Sequence, residues 1–123
     1  MNKLHLNNND EDKKIITFTI SREVKDTLIN TLKNSEHYNL KKKSDWVNEA
    51  IELLKSNQEH KELVYNADGN AQDHVFDKIH MTFQQRCSFA EMRNEIVKKY
   101  PDIKGPQGAI IRAAILSRLI RKN

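Results

Sequence analysis

The stretch that decides the fold of this chain is Lys13-Lys14-Ile15-Ile16-Thr17-Phe18-Thr19-Ile20-Ser21. Its central residues alternate between large apolar and small polar side chains, which is the period of a β-strand with one face in a core. The inward face would carry Ile16, Phe18 and Ile20, and the outward face Ile15, Thr17 and Thr19. We therefore predict a strand with one core-facing side and one polar side.

A second stretch, Lys78-Ile79-His80-Met81-Thr82-Phe83-Gln84, repeats this alternation far downstream. Its inward face would carry Ile79, Met81 and Phe83, and its outward face Lys78, His80 and Thr82. No other part of the sequence has the pattern of a strand. Because a lone strand cannot satisfy its backbone hydrogen bonds, we predict that the two strands pair with each other, within one chain or across a dimer.

Composition limits what kind of protein this is. The 123 residues are enough for one ordinary domain or two very small units that share a core. Apolar content of 37%, charged content of 31%, three glycines and two prolines favour a helix-rich protein with a thin core. Apolar runs are short and no signal-type segment opens the chain, so we expect a cytoplasmic protein without a membrane partner. Cys87 is the only cysteine, which excludes an internal disulfide.

The net charge of +4 is unevenly distributed. Residues 13–55 contain nine Lys and Arg against six Asp and Glu, and residues 78–123 contain ten against three. Residues 1–12 contain one basic residue against three acidic ones, and residues 56–77 contain one against five. The basic charge thus lies in the two patterned segments, as expected when folded parts meet a polyanion, although basic proteins without such a partner also exist.

Helix signals divide the chain into four parts. Residues 1–12 are polar and aperiodic and are predicted to be a disordered tail. Ser21 is a candidate N-cap for a helix from about Arg22 to Asn34, and a second helix begins near residues 41–44 and ends near 55. Residues 56–76 form a linker into which that helix can extend as far as Leu63 or Val64. Residues 77–122 contain the second strand, a helix opened by the capping-box pattern at 88–91, and a last helix opened by Pro106.

The segments 13–55 and 77–122 match each other in order. The strand pairs Phe18 with Met81 and Ile20 with Phe83 lie 63 positions apart. The helix pairs lie 64 positions apart: Leu28 with Met92, Leu32 with Ile96, Ala50 with Ala114, and Ile51 with Ile115. One extra residue in the second strand-to-helix turn reconciles the two offsets. We therefore predict two copies of one structural unit.

A strand, a helix, a short turn and a second helix in succession resemble the ribbon-helix-helix family of DNA-binding proteins, which includes the Arc and methionine repressors. The residues that carry the resemblance are 16–24 and 43–51 in the first copy and 105–115 in the second. The second copy departs from the family at its strand end, where Gln84-Gln85-Arg86 replaces the usual Ser/Pro-x-Glu.

Both copies lie in one chain, which resembles the tandem arrangement of TraY-type relaxosome accessory proteins. The resemblance implies a fold class that is mainly α with a two-stranded antiparallel β-ribbon, in which tandem ribbon-helix-helix repeats form an intramolecular pseudo-dimer. It also implies that the protein binds double-stranded DNA and acts either as a transcriptional repressor or as a DNA-transfer accessory factor.

A two-stranded ribbon fits the major groove of B-DNA, where its outward side chains can contact base edges. The candidate base-reading residues are Ile15, Thr17, Thr19, Lys78, His80 and Thr82. Lys78 can donate to guanine O6 or N7. The threonines can hydrogen-bond to several bases or contact a thymine methyl group, and Ile15 can also contact such a methyl group. Because the two strands carry different residues, such a ribbon can read an asymmetric site.

The family resemblance further implies that the second helix of each copy points its N-terminus at a DNA phosphate, where free N–H groups and the helix dipole favour an anion. The corresponding positions are Lys42, Lys43 and Ser44 in the first copy, and Pro106, Gln107 and Gly108 in the second. Lys41 and Lys104 would add positive charge beside them and are predicted to bind phosphate as well. Pro106 lacks an N–H, so the second contact would rest on its neighbours.

Plainer interpretations of these residues exist. The threonines are also ordinary strand formers, and a lysine run is often a solvated helix start. The histidines have no metal-ligand spacing, and neither a phosphate-binding glycine loop nor a catalytic arrangement occurs, so we expect no enzymatic activity, metal or cofactor. The alternative function is an antitoxin-like or other protein-interaction module that uses the same fold.

Overall fold

The two predicted strands pair with each other in the computed structural model, which describes residues 13–67 and 73–121. Strand β1, Lys14–Ser21, lies antiparallel to β2, His74–Met81. Thr17 lies opposite Lys78 near the middle of this two-stranded sheet, hereafter the ribbon. The predicted pairing is therefore confirmed, and it occurs within one chain. The predicted tail, residues 1–12, lies outside the described residues.

The predicted bounds of the second strand were wrong. The strand begins at His74 rather than Lys78 and ends at Met81, so residues 74–76, which the sequence had placed in the linker, belong to β2. The physical reason is the length of β1. Residues 74–77 pair with residues 18–21 and so satisfy the backbone groups in the second half of β1.

The described residues are mainly helical, as predicted, with this two-stranded antiparallel sheet. Five α-helices occur in them: α1, Arg22–Lys33; α2, Lys43–Lys55; α3, His60–Asn66; α4, Phe83–Lys99; and α5, Pro106–Arg121. A short 3-10 helix, Leu40–Lys42, leads into α2.

Both strands pass directly into a helix through a side-chain cap. The Ser21 hydroxyl accepts a hydrogen bond from Val24 N at 3.2 Å, as predicted for the start of α1.

The predicted start of α4 at Ser88 was wrong, because the capping box is formed by Thr82 and Gln85. Thr82 Oγ1 accepts from Gln85 N at 3.2 Å, and Gln85 Oε1 accepts from Thr82 N at 2.8 Å. Phe83 is therefore the first residue of a helix with an exposed side chain, not an inward strand residue.

The linker contains a helix of its own instead of an extension of α2. Asn57 lies in the turn after α2, where its Oδ1 accepts from Glu59 N at 2.8 Å.

Helix α3 packs on α4 and α5. Tyr65 and Tyr100 stack with their ring centroids 4.2 Å apart. A hydrogen bond from Lys99, the last residue of α4, lowers the pKa of Glu62 in α3. The linker is thereby fastened to the helices.

One hydrophobic core joins the ribbon to the helices. Helices α2 and α5 pack against each other, and both also contact the ribbon. The inward face of the ribbon buries four of the residues predicted to be there: Phe18, Ile20, Ile79 and Met81. Because the helices cover this face only, the opposite face of the ribbon remains at the surface.

Candidate nucleic-acid interface

The outer face of the ribbon carries most of the predicted base-reading residues. Ile15, Thr17, Lys78 and His80 are exposed, and Thr19 is half-buried. In the antiparallel register, Ile15 lies opposite His80 and Thr17 lies opposite Lys78. The ribbon therefore brings these side chains together on one surface.

Thr82, the sixth predicted base-reading residue, does not belong to this surface. It follows the last residue of β2 and caps α4, where its hydroxyl accepts the Gln85 N–H. Its side chain therefore serves the strand-to-helix junction.

The strand register adds a residue that the sequence analysis missed. Phe76 lies opposite Thr19, and 80% of it is exposed. It was missed because residues 74–76 were assigned to the linker. The signal was the alternation itself, since Val75, Asp77 and Ile79 occupy every second position and leave Phe76 on the face of Lys78. An exposed phenylalanine between polar neighbours is the most apolar feature of the outer face.

Helix α2 supports β2 through the side chains of Ser44 and Asn48. Ser44 Oγ accepts from the backbone N–H of His80 at 2.9 Å. Asn48 Nδ2 donates to the carbonyl oxygens of His80, at 2.9 Å, and of Ser44, at 2.8 Å. These bonds hold the backbone of His80, whose side chain is exposed on the outer face because of its place in the strand alternation. Ser44, predicted to bind phosphate, uses its hydroxyl in this internal contact.

Helix α5 supports β1 in the same way through Arg112. Its Nη1 donates to the carbonyl oxygen of Thr19 at 3.1 Å and lies 3.2 Å from the Thr19 hydroxyl oxygen. Gly108 makes room for this guanidinium, because a Cβ at position 108 would lie 2.9 Å from Nη1. Gly108, predicted to bind phosphate, thus also has a packing reason to be glycine.

Lys43 does not lie among the exposed lysines of the α2 N-terminus. Its Nζ donates to Oδ1 of Asp77, a residue on the inward face of β2. The Asp77 side chain is 5% exposed and that of Lys43 is 25% exposed, and Oδ1 also accepts from Lys78 N at 2.7 Å. Lys43, predicted to bind a DNA phosphate, is therefore the partner of a buried carboxylate.

The remaining predicted phosphate-binding residues lie at two helix starts. Lys41 and Lys42 are exposed just before α2, whose N-cap has no side-chain hydrogen bond. Lys104 and Gln107 are exposed around the start of α5. The positive charge of these lysine side chains suits an anion at both places. Around the start of α2 the N–H groups of residues 41–43 are already bonded within the preceding 3-10 helix and its cap, so the contribution there would come from the lysine side chains.

Among residues 13–67 and 73–121, no group of three or more His, Cys, Asp or Glu side chains is arranged to hold a metal ion. No helix within those ranges is both long and apolar enough to cross a membrane. The Lys55 ammonium lowers the pKa of Glu91 by a side-chain hydrogen bond, and this ion pair joins α2 to α4 away from the ribbon.

Comparisons of the chain with protein-family models, with curated proteins and with solved structures found no match.

Proposed function

We propose that this chain is a sequence-specific, non-enzymatic protein that binds double-stranded DNA by placing its ribbon in the major groove. The observation that carries the proposal is the outer face of the ribbon, which no helix of the described chain covers. A two-stranded ribbon has the width to enter the major groove. The side chains that would then meet base edges are Ile15, Thr17 and Thr19 of β1, and Phe76, Lys78 and His80 of β2.

The proposal includes two ribbon-helix-helix copies related by a pseudo-twofold axis. If the N-caps Ser21 and Thr82 correspond, the strand offset is 61 positions rather than the predicted 63. Thr17 then corresponds to Lys78, the residue that it faces across the ribbon. A twofold axis between two facing, equivalent residues is the symmetry that a dimeric ribbon requires.

The hydrogen bonds beneath the ribbon support the same correspondence. At the predicted helix offset of 64, Asn48 of α2 corresponds to Arg112 of α5. Asn48 donates to the carbonyl oxygen of His80, and Arg112 donates to that of Thr19. Thr19 and His80 correspond at the strand offset of 61. Each copy therefore uses the equivalent helix position to hold the equivalent strand position of the other copy.

Affinity would come from the phosphates and specificity from the bases. Lys41 and Lys42 are exposed beside the α2 N-terminus, and Lys104 lies near that of α5. The two ends are unequal in charge, so the complex would have a preferred orientation on an asymmetric site. We propose a role as a transcriptional repressor or as a DNA-transfer accessory factor, and a footprint at a promoter or beside a nicking site distinguishes the two.

The test is selection of bound duplexes from a random pool, followed by variants of the ribbon. Replacing Thr17, Lys78 and His80 together by Ala is expected to abolish discrimination between the selected duplex and random DNA, because good base contacts contribute about 1–3 kcal/mol each. The fold is expected to persist, since all three side chains are exposed.

The matched control is Lys98→Ala, which removes one exposed positive charge from the last turn of α4, about 22 Å along that helix from the ribbon. This variant is expected to keep its discrimination. Failure to select any duplex, or a triple variant that discriminates as well as the native protein, would overturn the proposal.

A further inference from the structure

Four cross-strand pairs lie on the outward side of the ribbon. The pair of Ser21 and His74 lies at the junction with α1, where the Ser21 hydroxyl is the helix cap, and the other three pairs form the rest of the outer face. Ile15 faces His80, Thr17 faces Lys78, and Thr19 faces Phe76. Successive outward residues of a strand are about 6.8 Å apart, which is close to two base-pair steps of B-DNA. The first and last pairs are therefore separated by about four base-pair steps, with the middle pair between them.

The two apolar residues of these three pairs belong to the first and the last of them. Ile15 belongs to the first pair and is 52% exposed, whereas Phe76 belongs to the last pair and is 80% exposed. Covering exposed side chains of this size with an apolar surface is favourable, because it removes their apolar area from water. The apolar group that base edges present in the major groove is the 5-methyl group of thymine.

The middle pair has the opposite chemistry. Lys78 has three N–H donors and no acceptor, and its backbone is fixed by pairing with Thr17. Guanine presents two adjacent acceptors, N7 and O6, in the major groove, whereas adenine pairs its one acceptor with a donor. A lysine in the centre of the ribbon therefore favours guanine.

We infer that the target duplex carries two pyrimidine 5-methyl groups about four base-pair steps apart, one contacted by Ile15 and the other by Phe76, with a guanine between them contacted by Lys78. This inference rests on the proposed function. It makes Phe76 a specificity-determining residue and gives the two ends of the site the same chemical requirement, although the residues that satisfy it differ.

The experiment begins with the duplex selected by the full chain. Each thymine is replaced in turn by deoxyuridine, which removes only the methyl group. Substitution at two positions about four base-pair steps apart is expected to lower the affinity of the protein for the duplex about fourfold, which corresponds to the free energy of burying one methyl group. Replacing the guanine between them by 7-deazaguanine removes the N7 acceptor and is also expected to weaken binding.

Variants assign each methyl group to its side chain. Ile15→Ala is expected to become insensitive to deoxyuridine at one position, and Phe76→Ala at the other. Leu53→Ala and Ile120→Ala are the controls, because these residues are 48% and 72% exposed on helices α2 and α5. Both controls are expected to keep the full sensitivity to deoxyuridine.

The outcomes separate this inference from the proposed function. If no duplex is selected, the proposed function fails and this inference falls with it. If a duplex is selected but deoxyuridine weakens binding at no position, the ribbon does not contact methyl groups, although DNA binding stands. The same conclusion follows if, at every deoxyuridine position, binding by Ile15→Ala and binding by Phe76→Ala are weakened by the same amount. If Phe76→Ala alone keeps the native sensitivity, the assignment of Phe76 is overturned.

Discussion

The buried pair of Lys43 and Asp77 gives the sharpest prediction, because sequence and structure assign Lys43 different roles. The sequence places it in a phosphate-binding lysine run, whereas the structure places its ammonium on a carboxylate that is 5% exposed. Lys43→Met keeps the aliphatic stem and removes the charge. The Asp77 carboxylate would then retain one backbone donor, the N–H of Lys78.

The expected cost follows from the burial of the pair. Removing one partner of a fully buried ion pair destabilises a protein by about 3–5 kcal/mol. The Lys43 side chain is 25% exposed, so water can partly replace it, and we expect a loss of about 2–3 kcal/mol in the free energy of unfolding. For a chain of this size the melting temperature should fall by about 8–12 °C.

Urea denaturation of three proteins measures this loss: the native chain, Lys43→Met, and Lys43→Met combined with Asp77→Val. The double variant removes both charges and places a strand-forming apolar residue on the inward face of β2. It should regain most of the stability, because an apolar pair can replace a buried ion pair at little or no cost. The reasoning is refuted if Lys43→Met is as stable as the native chain and instead lowers the salt dependence of DNA binding.

Three further predictions concern the ends of the helices. Lys41→Ala combined with Lys42→Ala should make the slope of log K against log salt less negative by about 1.8, and an unchanged slope would exclude both lysines as phosphate contacts. Gly108→Ala should stabilise the Arg112→Ala variant by up to about 1 kcal/mol but the native chain by less, because only in the native chain does the new methyl group displace the guanidinium; equal effects in thermal unfolding would contradict this. Glu62→Gln should destabilise the protein above the ordinary carboxyl pKa of 4.5, and the difference should vanish as the pH falls through the lowered pKa of Glu62, since protonation removes the same ion pair; a pH-independent difference would contradict this.

Local patterns predicted the elements whose signals lie within a few residues of each other. The alternation through Phe18 and Ile20 is complete within β1, and Ser21 caps α1 as its position predicts. Pro106 marks the start of α5 because its fixed φ and missing N–H suit the first helical position. These decisions need no tertiary contact, so the sequence was sufficient for them.

The prediction failed at β2 because an inward aspartate breaks the apolar alternation. Asp77 is tolerated on the core face of the strand only because Lys43, 34 residues earlier in the chain, donates to it. Without that partner in view, the pattern begins at Lys78, and Phe76 is assigned to the linker. The same displacement moved Thr82 into the strand and hid its capping box with Gln85.

The sequence by itself determined that two strands exist, that each leads into helices, and that their apolar faces require a shared core, because periodicity and capping are local properties. Only the tertiary structure decided the register, and with it the composition of the exposed face. A register is fixed by which distant groups satisfy one another, such as Asn48 with His80 and Arg112 with Thr19. Such long-range pairings have no periodic signature in one sequence. For this reason only the structure identified Phe76 as a residue of the outer face.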